Sequence, residues 1–320
     1  MNRAAIGVIW GLSFIVLESI QFVFFGNIFQ RMSSVQFGFL VFGISTISFI
    51  GWAAWARPAE LRLAFRGRRN VAAMNIAATF SWIMFLIAVQ LIEPAIAYTI
   101  GAGAMPLTAW LVNRAGVPEG ETMRNRFEAT GNVLILAAIV YLGAITIAGQ
   151  SGFVRGGTWV AVMGVTLAFV EGAIFTWMLI FGQRLDRAGV GPAVAFGLRF
   201  PLYVVVAGGL AAAGFDHKAA LPAPEIALIV AIGLALVVPP LYALQRAVAL
   251  ISTLTISALT ALGPFIIFGL QMIEGRVAYS SETLMGLGVY FAGATLAAFG
   301  AVRASVGAAG RAPGQQATLR

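Results

Sequence analysis

The chain has 320 residues, 60% of them apolar and only 10% charged, with a net charge of +8 and no cysteine. No soluble domain of this length could bury so much apolar surface, so the chain reads as an integral membrane protein. The missing cysteine excludes disulfides, thiolate nucleophiles and cysteine metal sites. The single histidine, His217, falls in a polar loop, and the positive charge reads as a topology signal rather than a nucleic-acid footprint.

A crossing helix needs about 20 predominantly apolar residues. Ten stretches meet that length in chain order: 4–26, 34–56, 71–91, 94–113, 129–149, 157–182, 191–213, 225–245, 249–272 and 283–303. The first carries Glu18 and Gln21 and is followed by nine more, which is not the pattern of a cleaved signal. The connections are short and leave no room for a soluble domain. With a cytoplasmic N-terminus, fifteen basic residues fall on the inner side and four (Arg31, Arg155, Lys218 and Arg276) outside, while Arg199 lies within the seventh span. That asymmetry predicts both termini in the cytoplasm. The polar, Gly- and Pro-containing stretch 306–320 predicts a disordered tail.

The two halves of the chain match. IVLESIQFVFFGNIFQR and AFVEGAIFTWMLIFGQR align at an offset of 153, placing Glu18 over Glu171 and Phe22 over Phe175. IAYTIGAGAMPLTAWLV and LTISALTALGPFIIFGL place Pro106 over Pro264 after runs of small residues. Such residues allow close helix approach, and each proline frees a carbonyl and marks an expected kink. Five spans per half is an odd number, so the expected fold is all-α, with ten transmembrane helices in two inverted five-helix repeats, 1–150 and 151–305. Repeats of that kind characterise secondary transporters, whose substrate site lies near the midplane between them.

A carboxylate in hydrocarbon costs about 2.5–3.5 kcal/mol even on lenient scales, so intramembrane acids mark functional sites. Glu18 and Glu171 each lie near mid-span, too deep to reach an interface by snorkelling. Phe14, Gln21, Phe22 and Phe25 share the helical face of Glu18, and Leu167, Ile174, Phe175 and Met178 that of Glu171. Arg199, counted from the end of its span, falls at nearly the depth of Glu171 and is read as its counter-ion or as a clamp for a substrate carboxylate. Trp82 and Trp177 offer cation–π faces. Glu93 and Glu274 read as turn or helix-end acids. No P-loop, catalytic triad or metal-ligand cluster appears, so neither an enzyme nor a cofactor is expected.

The span 4 and span 9 patterns, GLRFP at 197–201, IEGR at 273–276 and the following LMGLGVYFAGATLAAFG resemble the drug/metabolite transporter superfamily, in particular its ten-span EamA-like members, over residues 4–304. The half-length small multidrug resistance proteins resemble single repeats of this architecture. Their essential glutamate falls where Glu18 and Glu171 stand, and their I-A-Y-x-I pattern appears here as Ile96 to Ile100. That resemblance implies that Tyr98 contacts substrate beside Glu18. The sequence departs at Gly101, where those proteins carry tryptophan, and at Ile256, which stands opposite Tyr98 in the second half.

The function expected is proton-coupled exchange of a small organic cation or amine-bearing metabolite, with export the favoured direction. A carboxyl that binds a proton or a cation in turn couples the two fluxes. The alternative is export of an amino acid or other zwitterion, with a passive channel or structural subunit as a third reading. The expected partners are the substrate, protons and the lipid bilayer of the bacterial inner membrane, with a second copy of the chain as a candidate partner and no nucleic acid.

Overall fold

The computed structural model describes residues 3–309 apart from 121, 249 and 251–258. The described chain is helical throughout, with one isolated antiparallel bridge between Ile92 and Val154. In order, the helices are α1 (Arg3–Arg31), α2 (Ser34–Ala56), α3 (Pro58–Arg66), α4 (Arg68–Leu91), α5 (Pro94–Arg114) and α6 (Arg126–Ile147). There follow α7 (Thr158–Arg187), α8 (Pro192–Arg199), α9 (Pro201–Ala212), α10 (Ala223–Val248), α11 (Gly263–Glu274) and α12 (Ser281–Ala309). Among the described residues nine segments are long and apolar enough to cross a membrane, with α8 and α9 together forming one; α11 is shorter. The chain is an all-α integral membrane protein.

Several elements differ from the sequence expectation. The segment 57–69, expected as a connection, contains α3, whose Pro58 and Glu60 suit a first helical turn. The seventh span is broken at Phe200, because Pro201 cannot donate to the preceding turn. Asn75 on α4 repairs the break: its Nδ2 donates to the Leu198 carbonyl and its Oδ1 accepts from Leu202 N at 3.2 Å. Of the expected span 249–272, the described residues show helix at 259–260, a turn at 261–262 and then α11, and Ile256 lies outside them. Pro264 therefore opens α11, where its missing N–H costs nothing, instead of kinking a helix. Pro106, by contrast, does lie inside α5.

In lipid, helices associate by close packing rather than by escape from water. The most extensive pairings are α6 with α12 and α4 with α7, followed by α1 with α10 and α5 with α7. Gly131 and Gly293 let α6 and α12 meet backbone to backbone. A buried aromatic cluster of Phe25, Phe29, Phe37, Phe42, Phe200 and Tyr203 fills the space among α1, α2 and the broken seventh span.

Candidate functional site

Glu18 projects from α1 toward α5, where the Tyr98 hydroxyl donates to its Oε2 at 3.3 Å. Phe22, one turn along α1, sets its ring edge-on to Tyr98 at 4.8 Å and to Phe85 of α4 at 4.8 Å. Tyr290 of α12 lies within electrostatic reach of both Glu18 and Tyr98. Gly263, at the start of α11, packs against the Tyr98 ring. From Leu91 to Gly101 every residue is buried except Tyr98, which keeps surface access. Gln21 is buried one turn from Glu18.

Glu171 projects from α7 toward the same stretch of α5. Ser81 of α4 donates to its Oε1 at 3.3 Å. Its Oε2 lies over Gly101, so close that a β-carbon there would stand 2.5 Å away. The next residue, Gly172, seats on the Gly101 carbonyl, and Thr176 donates to Met105 O at 3.3 Å just before Pro106. Tyr98 and Gly101 are three residues apart, about 4.5 Å along the helix axis. The two acids therefore meet α5 within one turn, and small residues make that meeting possible. Phe175 packs against the main core one turn from Glu171.

Trp82 stands at the centre of an aromatic run. Its ring is edge-on to Phe85 at 5.3 Å and to Phe42 at 4.8 Å, and Phe42 stacks on Phe200 at 4.5 Å. Its indole Nε1 is buried and has no partner among the described residues. Together with Phe22, these rings link Tyr98 to the break in the seventh span.

Arg199 does not join this group. No carboxylate among the described residues lies within ion-pair distance of it, so the expected pair with Glu171 is not made. The reason is length. The apolar run of the sixth span ends at 182, but α7 continues through Arg187, which shifts Glu171 further from that end. Arg199 instead lines a cleft beside Leu179, Gln183 and Asp186 of α7. The turns at 179–186 begin eight residues past Glu171, about 12 Å along the helix.

Sequence reasoning also missed Ser81, Tyr290 and the role of Glu93. A lone serine and a lone tyrosine in apolar helices carry no pattern that sets them apart. Glu93, read as a turn acid, is fully buried at the α4–α5 turn. It accepts from Gly152 N at 2.9 Å, from Thr283 Oγ1 at 3.1 Å and from Gln271 Nε2. Burial pushes its carboxyl above the usual value, against the opposing pull of these donors and of the Arg276 charge. Nearby at this end of the bundle, Asp216 gathers Ser34, Gln90 and Lys218. The other end is held by Glu119, which binds Arg184 at 2.9 Å and Arg187 at 3.6 Å. There the cleft lined by Arg199 opens between α2, α7, α8 and α10, with a volume of about 490 Å³.

No family model matches the chain, and no curated protein matches it. A solved structure described only as "Crystal structure of protein" is similar to it, with a TM-score of 0.61 and 20% identity over 94% of this chain and 98% of that one. Likeness at that identity extends to the fold alone.

Proposed function

We propose that this chain is a secondary transporter that exchanges a small organic cation or amine-bearing metabolite for protons, with Glu18 and Glu171 as the exchange site. The observation that carries the reading is the convergence of both acids on one turn of α5, Glu18 through Tyr98 and Glu171 over Gly101. Each carboxyl has one hydroxyl donor, from Tyr98 or Ser81, and aromatic rings flank Glu18. A cation seated against Phe22 and Tyr98 would gain from the ring faces and the carboxylates, and its entry would displace the bound protons.

The two-repeat, ten-span reading is supported by the pairing of helices. Exchanging α1 with α7, α4 with α10 and α5 with α11 carries the α4–α7 pairing onto α10–α1 and the α5–α7 pairing onto α11–α1. The pairings of α6 with α12 and of α2 with α9 map onto themselves. Such an arrangement suits alternating access by rocking of one repeat against the other. The buried Glu93 network and the half-buried Asp216 network tie one end, and the cleft leaves the other accessible. The sequence motifs favour the drug/metabolite transporter superfamily, and the arginine distribution favours an inner-membrane protein with both termini cytoplasmic.

The test is transport of labelled organic cations into proteoliposomes under opposed pH gradients. Glu18→Gln and Glu171→Gln should each insert normally and lose pH-driven exchange, to unequal degrees because Tyr98 serves only Glu18. Wild-type exchange in the double variant would refute the proposal.

A further inference from the structure

Arg199 is the charge within the bundle that the exchange site leaves unused. Its Nε is shielded and has no acceptor, and among the described residues no acid lies within ion-pair distance of its guanidinium. Arginine stays charged in proteins, so a half-buried guanidinium within a membrane protein gains from a negative partner. Among the described residues the chain supplies none.

What adjoins it is space. Arg199 forms part of the wall of the 490 Å³ cleft, a size that takes small molecules. The rest of the wall is mostly apolar, with Phe49, Phe196, Leu179 and Val238 on four helices. Its other polar side chains are Gln183 and Asp186 of α7. The backbone that carries Arg199 is held in place: Phe200 and Pro201 end α8 immediately after it, and Asn75 fixes the backbone on either side of that break.

We propose that this cleft is a binding site for a small organic monocarboxylate with an apolar body. The planar fork of Arg199 matches a carboxylate with two parallel hydrogen bonds. Phe49 and Phe196, edge-on to each other at 4.8 Å, receive the apolar part, and Gln183 offers an amide to a remaining polar group. One cation facing one acid sets the charge of the ligand. Asp186 in the same wall opposes a doubly charged group such as a phosphate, which would find only one positive partner. The site lies apart from Glu18 and Glu171 and does not depend on their role in proton exchange.

The experiment is calorimetric titration of the purified full-length protein with phenylacetate and with its uncharged isostere phenylacetamide. Wild type should bind the acid at least about tenfold more tightly than the amide, the ratio expected for charge-assisted hydrogen bonds. Arg199→Gln should bring the acid down to the level of the amide, and Arg199→Lys, which keeps the charge but loses the fork, should fall between. If Arg199→Gln does not fold, the acid-to-amide ratio of wild type still decides, together with Asp186→Asn, which should tighten acid binding by removing a like charge. Equal binding of acid and amide to wild type, or undiminished acid binding by folded Arg199→Gln, would overturn the assignment.

Discussion

Gly172 of α7 seats directly on the carbonyl oxygen of Gly101 in α5, with no room for a β-carbon between them. The same crossing brings the Glu171 carboxyl over Gly101, so the packing of two glycines sets the position of the second acid. The two glycines are not equivalent. A methyl group on Gly172 meets backbone, which cannot yield without moving a helix, whereas one on Gly101 meets the flexible end of Glu171. Gly172→Ala should therefore destabilise the protein by about 1–3 kcal/mol, the usual cost of overpacking. Gly101→Ala should melt close to wild type but exchange substrate poorly. Thermal unfolding of both in detergent checks the order; equal melting temperatures would show that the helices separate freely at this crossing.

Tyr98→Phe and Ser81→Ala each delete one hydroxyl that donates to an acid while leaving the packing of the site nearly intact. A hydrogen bond to a charged group contributes about 1.5–3 kcal/mol, or roughly tenfold and upward in an equilibrium constant. We expect each variant to fold normally and to lose at least that factor in exchange rate. Tyr98→Phe should be the milder in substrate affinity, because its ring still meets Phe22 edge-on. Undiminished exchange in both variants would mean that the hydroxyls merely fill space.

The membrane character of the chain and the positions of Glu18, Glu171 and Tyr98 were legible from composition, span length and the offset of 153 residues. The partners of the acids were legible only in part. Tyr98 stood out through its motif, but Ser81 is an isolated polar residue whose meaning depends on which helix packs against α4. Arg199 lies away from the depth of Glu171 because the helix α7 is longer than its apolar run. Gln183 to Arg187 stay helical beyond the apolar run, and nothing in hydropathy separates a helix that ends from one that continues into polar surroundings. The break at Phe200 departs from the unbroken span that apolar length predicts, although Pro201 is its local cause; its repair by Asn75, 123 residues from Leu198, is a tertiary relation that no local pattern encodes.

Asn75→Leu should expose the cost of that repair. The amide satisfies both the Leu198 carbonyl and the Leu202 N–H. Leaving two buried backbone groups unpaired costs about 1–3 kcal/mol each. The damage should be local, appearing as faster hydrogen exchange at residues 198–204 and as weaker order around Arg199. Unaltered exchange there would mean that water or a neighbouring helix replaces the amide.

The pH response of Glu93 is set by two opposed effects, and its sign can be derived. Burial raises the carboxyl above its ordinary value, while the donors from Gly152, Gln271 and Thr283 and the charge of Arg276 lower it; burial is the larger. A carboxyl whose folded value exceeds its unfolded one binds protons more readily in the native state, so protonation favours folding. Its contribution is complete below the ordinary carboxylate value and is lost as the pH rises through the raised value. Glu93→Gln resembles the protonated acid in shape and charge but does not titrate. The wild-type melting temperature should therefore fall more steeply across that window than that of the variant, in which the other buried carboxyls still titrate, and any advantage of wild type should shrink with rising pH. Melting curves of the two proteins in parallel buffers measure the difference. An advantage that grows with pH would mean that the three donors outweigh burial and hold Glu93 as a carboxylate.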